Sequence, residues 1–400
     1  MATQKTALIG PLRIPVLLTF LPFSFIAFML PIYGKNLDAS AMSVGGLFSI
    51  VTASTLIFRP FVGRALDQFG RKKFFITGLL LNMGAMIAFM YAGTLPYLYL
   101  ARFIQGFAFL FLTISLVTMV ADMSSNADRG KAMGIRLEKE TQGRIIGIFL
   151  GLSFFGFFSA IFAWRLAFIC FAIMTVVAIW LSWRRIPETQ PSAISVDGGD
   201  DEDRQSVPIQ LIKLMVVVFV IGITFSMLMP ISLVFMQDRF TTDIGTLALV
   251  FLPGGMALGF LSSRLGKLSD RFGRITMMFL GFILTGLSFL FVPLAPSMIS
   301  LAGIFFLIHI GWATVDPAQS ALVADIVDKE HQGKSYGWYD FSRSLGLTTG
   351  PLLGGWLYDT LGPATPFYFC SIVLLCGGVW VILLMGQSAS FQKEQGNHLY

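Results

Sequence analysis

The sequence predicts an all-α membrane protein of twelve transmembrane helices arranged as two pseudo-symmetric six-helix bundles. Three observations carry that prediction: a composition suited to lipid, twelve apolar runs of spanning length, and an internal repeat with one fixed offset. Of the 400 residues, 55% are hydrophobic and only 12% are charged, about half the charged share of an ordinary soluble domain. The mean hydropathy of +0.76 points the same way. This balance excludes a cytosolic enzyme, a secreted disulfide scaffold and a disordered chain. The formal net charge of +6 comes from basic residues scattered along the sequence. They form no concentrated patch, so no nucleic-acid partner is expected. Cys170, Cys370 and Cys376 lie in apolar runs without metal-ligand spacing and read as packing residues.

A helix needs about 20 mostly apolar residues to cross the hydrocarbon core. Charged or turn-rich breaks delimit runs at 12–33, 42–66, 74–92, 96–121, 132–157, 160–183, 208–235, 244–266, 275–294, 297–324, 334–359 and 364–386. The first lacks a small-residue cleavage site and is expected to be a retained helix. Between the sixth and seventh, residues 184–207 hold two prolines and six acids with no apolar period. That stretch reads as a solvated linker, its acids as a hydrated tether. It divides the chain into bundles at 1–183 and 208–400, the second with a short tail. With the N-terminus inside, inner segments carry eighteen Lys and Arg and outer loops carry three. The asymmetry places both termini in the cytoplasm.

The repeat is read from Gly63-Arg-Ala-Leu-Asp67-Gln-Phe-Gly70-Arg71, which recurs 203 residues later as Gly266-Lys-Leu-Ser-Asp270-Arg-Phe-Gly273-Arg274. The same shift carries Asp122 to Asp325, and Gly143, Gly147 and Gly151 to Gly346, Gly350 and Gly354. One offset through separate loops and helices marks two parallel repeats. With an even number of spans in each, the axis relating them lies along the membrane normal. Gly63 and Gly70 suit tight turns and close helix approach. Asp67 is placed to cap a neighbouring helix and pair with Arg71.

Ionisable residues inside a span cost roughly 2.5–3.5 kcal/mol each on insertion scales, so those present need partners or a wet cavity. Arg136, Glu140 and Arg144 form an i, i+4, i+8 stripe on the fifth helix. Gly143, Gly147 and Gly151 fall on the same side, which suits the wall of a central cavity. On the eleventh helix Asp340 and Arg343 form an i, i+3 pair, and Arg343 is the repeat counterpart of Glu140. The two halves could thus give a mixed-charge lining, or each pair could be a buried structural ion pair. Asp316 precedes Pro317 on the tenth helix, and an intramembrane carboxylate at a kink is a natural protonation site. His309 reads as a packed or hydrogen-bonded histidine, and the Phe cluster at 154–158 as lipid-facing mass.

These residues carry a family resemblance. The segment with Gly63, Asp67, Gly70, Arg71 and Lys72 resembles motif A of the major facilitator superfamily, with Ala65 where the pattern usually has Leu. Arg102-Phe-Ile-Gln105-Gly106 is similar to that family's R-x-x-Q-G motif. The run Gly337-x8-Gly346-x3-Gly350-Pro351-x2-Gly354-Gly355 resembles the antiporter motif of drug–proton exchangers. Those exchangers usually carry the motif on helix five, where this chain has Ile148 in place of proline. The resemblance implies the major facilitator fold and a gating role for Asp67, with its repeat Asp270, at the cytoplasmic side. It makes Asp122 the partner of the motif arginine and Arg102 a coupling and substrate contact. It also implies a proton-coupled secondary exporter, and a lining with charges of both signs favours small amphipathic or zwitterionic molecules as its substrates. Uptake symport and lipid flipping share the fold and stay open. No nucleophile–base set, zinc motif or phosphate-binding loop occurs, so no enzymatic activity, cofactor or ATP motor is expected. The expected partners are a small-molecule substrate, protons and the lipid bilayer, with the chain a monomer in a bacterial plasma membrane.

Overall fold

The structure, a computed structural model, describes residues 10–125, 128–189, 209–326 and 332–385. Most of the linker and the C-terminal tail lie outside the described residues. In lipid every backbone N–H and C=O must find its partner within the segment, and the described chain is accordingly helical. Twelve α-helices follow one another: α1 Gly10–Lys35, α2 Ala41–Phe69, α3 Arg71–Met90, α4 Leu95–Met123, α5 Arg129–Ser153, α6 Ala160–Arg185, α7 Ile209–Arg239, α8 Ile244–Phe272, α9 Arg274–Phe291, α10 Met298–Ile326, α11 Gln332–Leu361 and α12 Thr365–Trp380. Among the described residues nine helices are long and apolar enough to cross a membrane, and α8 adds a shorter apolar stretch, Ile244–Ala257. The helices outside the nine include α5 and α11, which bear the charges and glycines singled out above.

The chain divides into two compact units. One holds α1 and the helices from Ile50 to α6; the other holds Ser40–Ser49 together with α7–α12. In the first unit α1 packs on α5 and α6, α3 on α4 and α6. In the second α7 packs on α11 and α12, α9 on α10 and α12, so the repeat read from the sequence is also a repeat of packing. The core of the first unit includes Phe20, Phe75, Leu79, Leu112 and Leu116, all fully buried. Next to it Tyr33 stacks on Trp164 at 3.9 Å, and the Trp164 indole donates to the Phe89 carbonyl at 2.8 Å. Cys370 is buried, but Cys376 is exposed, so only part of the cysteine set packs in a core.

The loop glycines separate into two kinds. Gly70 joins α2 to α3 at φ 97°, and its repeat Gly273 joins α8 to α9 at φ 90°. Their ψ values of 148° and 141° complete a conformation open essentially to glycine alone. Gly63 departs from the expectation of a tight turn or close contact: it lies inside α2, and a Cβ there would meet nothing within 4 Å. Gly70→Ala and Gly273→Ala should each lower stability by about 1–3 kcal/mol, whereas Gly63→Ala should be neutral or stabilising, because mid-helix glycine itself costs about 0.5–1 kcal/mol. Thermal unfolding of the three purified variants checks this.

Asp243 begins α8 by accepting from the Thr246 side chain and backbone, each at 2.7 Å. Those hydrogen bonds, the side-chain one foremost, hold the Asp243 carboxyl below its ordinary range.

Candidate functional site

In the first unit the charged stripe of α5 forms as the spacing predicts. Arg136 Nη1 lies 3.1 Å from Glu140 Oε1, with the two side chains 18% and 9% exposed. The contact is an ion pair whose alignment falls short of a hydrogen bond, so Glu140 Oε1 is buried without a hydrogen-bond partner, and Arg136 Nε, which takes no part in the contact, is another such atom. Arg144 sits one turn further on, its guanidinium 5.4 Å from the centre of the Phe20 ring on α1. Glu138 points away and joins Lys139 and Gln142 in an exposed cluster.

The glycine half of this face is a correction to the cavity wall expected from sequence. Gly143 and Gly147 are pressed against the backbone carbonyls of Leu17 and Leu21, and Gly151 against the Phe25 ring. The narrow part of the face is therefore the α1–α5 seam, where missing side chains let two helices approach closely. The second unit repeats it: Gly346 meets the Phe219 carbonyl, Gly350 that of Ile223, and Gly354 the Met227 side chain. Gly355 faces another way, onto Ala41 and Met42. There Asp359 of α11 accepts from the backbone N–H of Ala41 at 3.0 Å and of Met42 at 2.8 Å, supplying a cap for the first turn of α2.

Arg102 on α4 is 7% exposed. Its Nη1 donates to Gln105 Oε1 at 2.6 Å, so the R-x-x-Q spacing is an i, i+3 hydrogen bond. Gly106 lets α4 approach Val51 and Ser54 on α2. At the α2–α3 loop, Arg71 Nε lies 3.2 Å from Asp122 Oδ2. Asp67, Gly266 and Asp270 are helical, but their side-chain surroundings lie outside the described residues, and so does Asp325. Arg274, the repeat of Arg71, opens α9.

Sequence reasoning missed a residue at this loop. Glu188, assigned to the hydrated tether, instead accepts from the backbone N–H of Arg71 at 2.8 Å and of Lys72 at 3.2 Å. Gly70 offers no side chain to cap α3, and a carboxylate is the favoured occupant of a helix N-terminus. Lys72 in turn donates to the Trp183 carbonyl at 2.8 Å, so the end of α6 is fastened to the start of α3. The one signal available was a lone acid just after a helix and a proline, which names no partner.

In the second unit α10 and α11 supply the other candidates. Arg343 pairs between helices, with Nη2 3.9 Å from Asp316 Oδ1, where the sequence suggested pairing with Asp340 along α11. Asp316 is 70% exposed and Arg343 44%, so Asp316 lacks the burial on which its expected protonation role rested. Buried beside them, Gln319 Nε2 donates to the Tyr339 hydroxyl at 2.8 Å, a pair that sequence spacing did not mark. Asp340 is half-buried on the same helix. His309 is the packed histidine expected. Its Nδ1 lies 2.7 Å from the Phe305 carbonyl, which can only accept, so Nδ1 carries the proton. Its ring fills the space left by Gly254 on α8.

The chain is 28% identical over 381 residues to multidrug resistance protein 2 of Bacillus subtilis, covering 94% of each. It is 24% identical over 393 residues to the quinolone resistance protein NorA of Staphylococcus aureus, covering 95% of this chain and 97% of that one. Among solved structures, the nucleoside transporter NupG superposes with a TM-score of 0.71 at 15% identity, over 94% of this chain and 99% of the other. That likeness concerns the fold. The Major Facilitator Superfamily model matches residues 16–214 and again 214–397, one match for each repeat. Twelve helices in two repeated bundles, a motif loop closed by Arg71 and Asp122, and a family match along almost all of its length make one consistent set: this multi-span membrane protein belongs to the Major Facilitator Superfamily of transporters.

Proposed function

We propose that this transporter is a proton-coupled exporter of small amphipathic or zwitterionic compounds, working by alternating access in a bacterial plasma membrane. In this reading it acts as a monomer with both termini cytoplasmic. The observation that carries the proposal is the chain-long similarity to proteins named for multidrug and quinolone resistance. The geometry supports the coupling half. Glu140 is a buried carboxylate between two arginines, with one oxygen lacking a hydrogen-bond partner. It can take a proton or a substrate donor without first breaking a hydrogen bond at that oxygen. In the other unit half-buried Asp340 is the further exchange point, and Asp316, exposed beside Arg343, is placed to meet substrate. Arg102, buried with its own hydrogen bond to Gln105, is placed to hold charge in the first unit.

The gate is assigned to Gly63, Asp67, Gly70, Arg71 and Asp122, and in the repeat to Gly266, Asp270, Gly273 and Arg274. Of this set, the Arg71–Asp122 ion pair and the two glycine corners supply the geometry.

Arg136 and Arg144 also bear on substrate class. Like charges at low dielectric repel strongly, so a permanent cation fits this stripe poorly, while a guanidinium can clamp a carboxylate bidentately. Everted membrane vesicles provide the test. Vesicles bearing the chain should accumulate carboxylate-bearing zwitterions above empty vesicles, and Arg144→Ala should reduce that uptake far more than uptake of permanently cationic dyes. Accumulation only in right-side-out vesicles would mean an uptake symporter, and movement of labelled lipid alone would mean a flippase.

A further inference from the structure

Four polar or aromatic residues of α10, His309, Trp312, Asp316 and Gln319, recur at i, i+3, i+7 and i+10, so they share one helix face. Three of them have partners within the second unit: the Phe305 carbonyl for His309, Arg343 for Asp316 and Tyr339 for Gln319. Trp312 does not. Its side chain is 4% exposed, and its indole Nε1 is buried without a hydrogen-bond partner. A buried indole N–H ordinarily finds an acceptor, so an orphan at this place calls for an acceptor that arrives with a ligand. The ring meets Phe225 of α7 edge-on, with centroids 5.4 Å apart at 85°. Phe225 itself is 49% exposed, which leaves its ring free to turn aside. One helical turn away, about 6 Å along the axis, lie the exposed charges of Asp316 and Arg343.

We propose that Trp312 is a specificity-determining residue, its indole N–H donating to a carbonyl on the ring of an aromatic substrate whose ionic group sits at Asp316 and Arg343. Because indole nitrogen is a donor only, the site selects a ring acceptor over a ring donor. The flat faces of Trp312 and a displaced Phe225 suit a planar ring system. This deepens the exporter reading and rests on it for the claim that such compounds are cargo.

The test is equilibrium binding of two matched probes to the purified full chain in detergent. One is 4-oxoquinoline-3-carboxylic acid; the other is naphthalene-2-carboxylic acid, which has two fused rings and a carboxylate but no ring acceptor. The unmodified protein should prefer the oxo probe by about three- to tenfold, the worth of one hydrogen bond. Trp312→Phe, which keeps a ring beside Phe225, should erase that preference to within about twofold while leaving the second probe's affinity nearly unchanged. Phe225→Ala, a variant that keeps the indole but admits water to it, should also shrink the preference. The proposal is overturned if the unmodified protein binds both probes alike or neither. It is overturned equally if Trp312→Phe weakens both by the same factor, or if Phe225→Ala leaves the preference intact. Binding is read without flux, so a protein that discriminates the pair yet moves neither compound would keep the role of Trp312 and remove the exporter reading.

Discussion

Replacing Gly147 with valine should abolish transport and leave little folded protein to recover from the membrane. A Cβ at that position would run into the Leu21 carbonyl, and Leu21 belongs to a helix that is itself buried. The obstacle is backbone, which cannot rotate away as a side chain can. Overpacking a core typically costs about 1–3 kcal/mol, and more when the backbone must shift; an added isopropyl group puts Gly147→Val at or above the top of that range. Gly350→Val should behave alike, since it would meet the Ile223 carbonyl in the repeat seam. Gly63→Val is the control, with open space around its Cβ. Size-exclusion profiles and thermal midpoints of the three variants in detergent decide the matter. If Gly147→Val matches Gly63→Val, α1 and α5 do not meet as described.

Glu140→Gln should be the most damaging single change among the charged residues of the first unit. It removes the counter-charge of Arg136 at 3.1 Å and leaves two arginines on a buried helix face. Breaking a buried pair by deleting one partner costs about 3–5 kcal/mol, because the remaining charge stays desolvated. The pair itself need not be a net source of stability, so removing both charges should hurt less than removing one. Arg136→Gln combined with Glu140→Gln should therefore recover much of the single-variant loss, a coupling that a double-mutant cycle on thermal stability measures directly. Strictly additive losses would mean that the two side chains do not share this environment.

The twelve helices were legible because lipid forces the backbone into helices and leaves apolar length as the main variable. Even α5 and α11, with their charges and glycines, could be placed, because charged or turn-rich breaks still delimit a run of spanning length in each. The stripe Arg136, Glu140 and Arg144 was legible because i, i+4 spacing on a helix is already geometry. Spacing could not say which way that face turns. Gly143, Gly147 and Gly151 looked like a cavity wall and are a helix seam, since a glycine face fits either a ligand or a neighbouring backbone. Arg343 chose Asp316 on α10, a partner visible only once tertiary packing sets the two helices side by side. Glu188, Gln319, Tyr339 and Trp312 went unread for a common reason. Each depends on partners far away in sequence, or on the lack of one, and a single polar residue carries no periodicity.

The claim that protons drive export is tested most directly by substrate accumulation in proteoliposomes under an imposed pH gradient. With protons set to flow down their gradient through the reconstituted protein, a zwitterionic substrate should move the opposite way and concentrate against its own gradient. That accumulation should collapse when a protonophore dissipates the pH difference. Accumulation that survives the protonophore, or transport that only equalises the substrate whatever the pH difference, would contradict proton-coupled exchange.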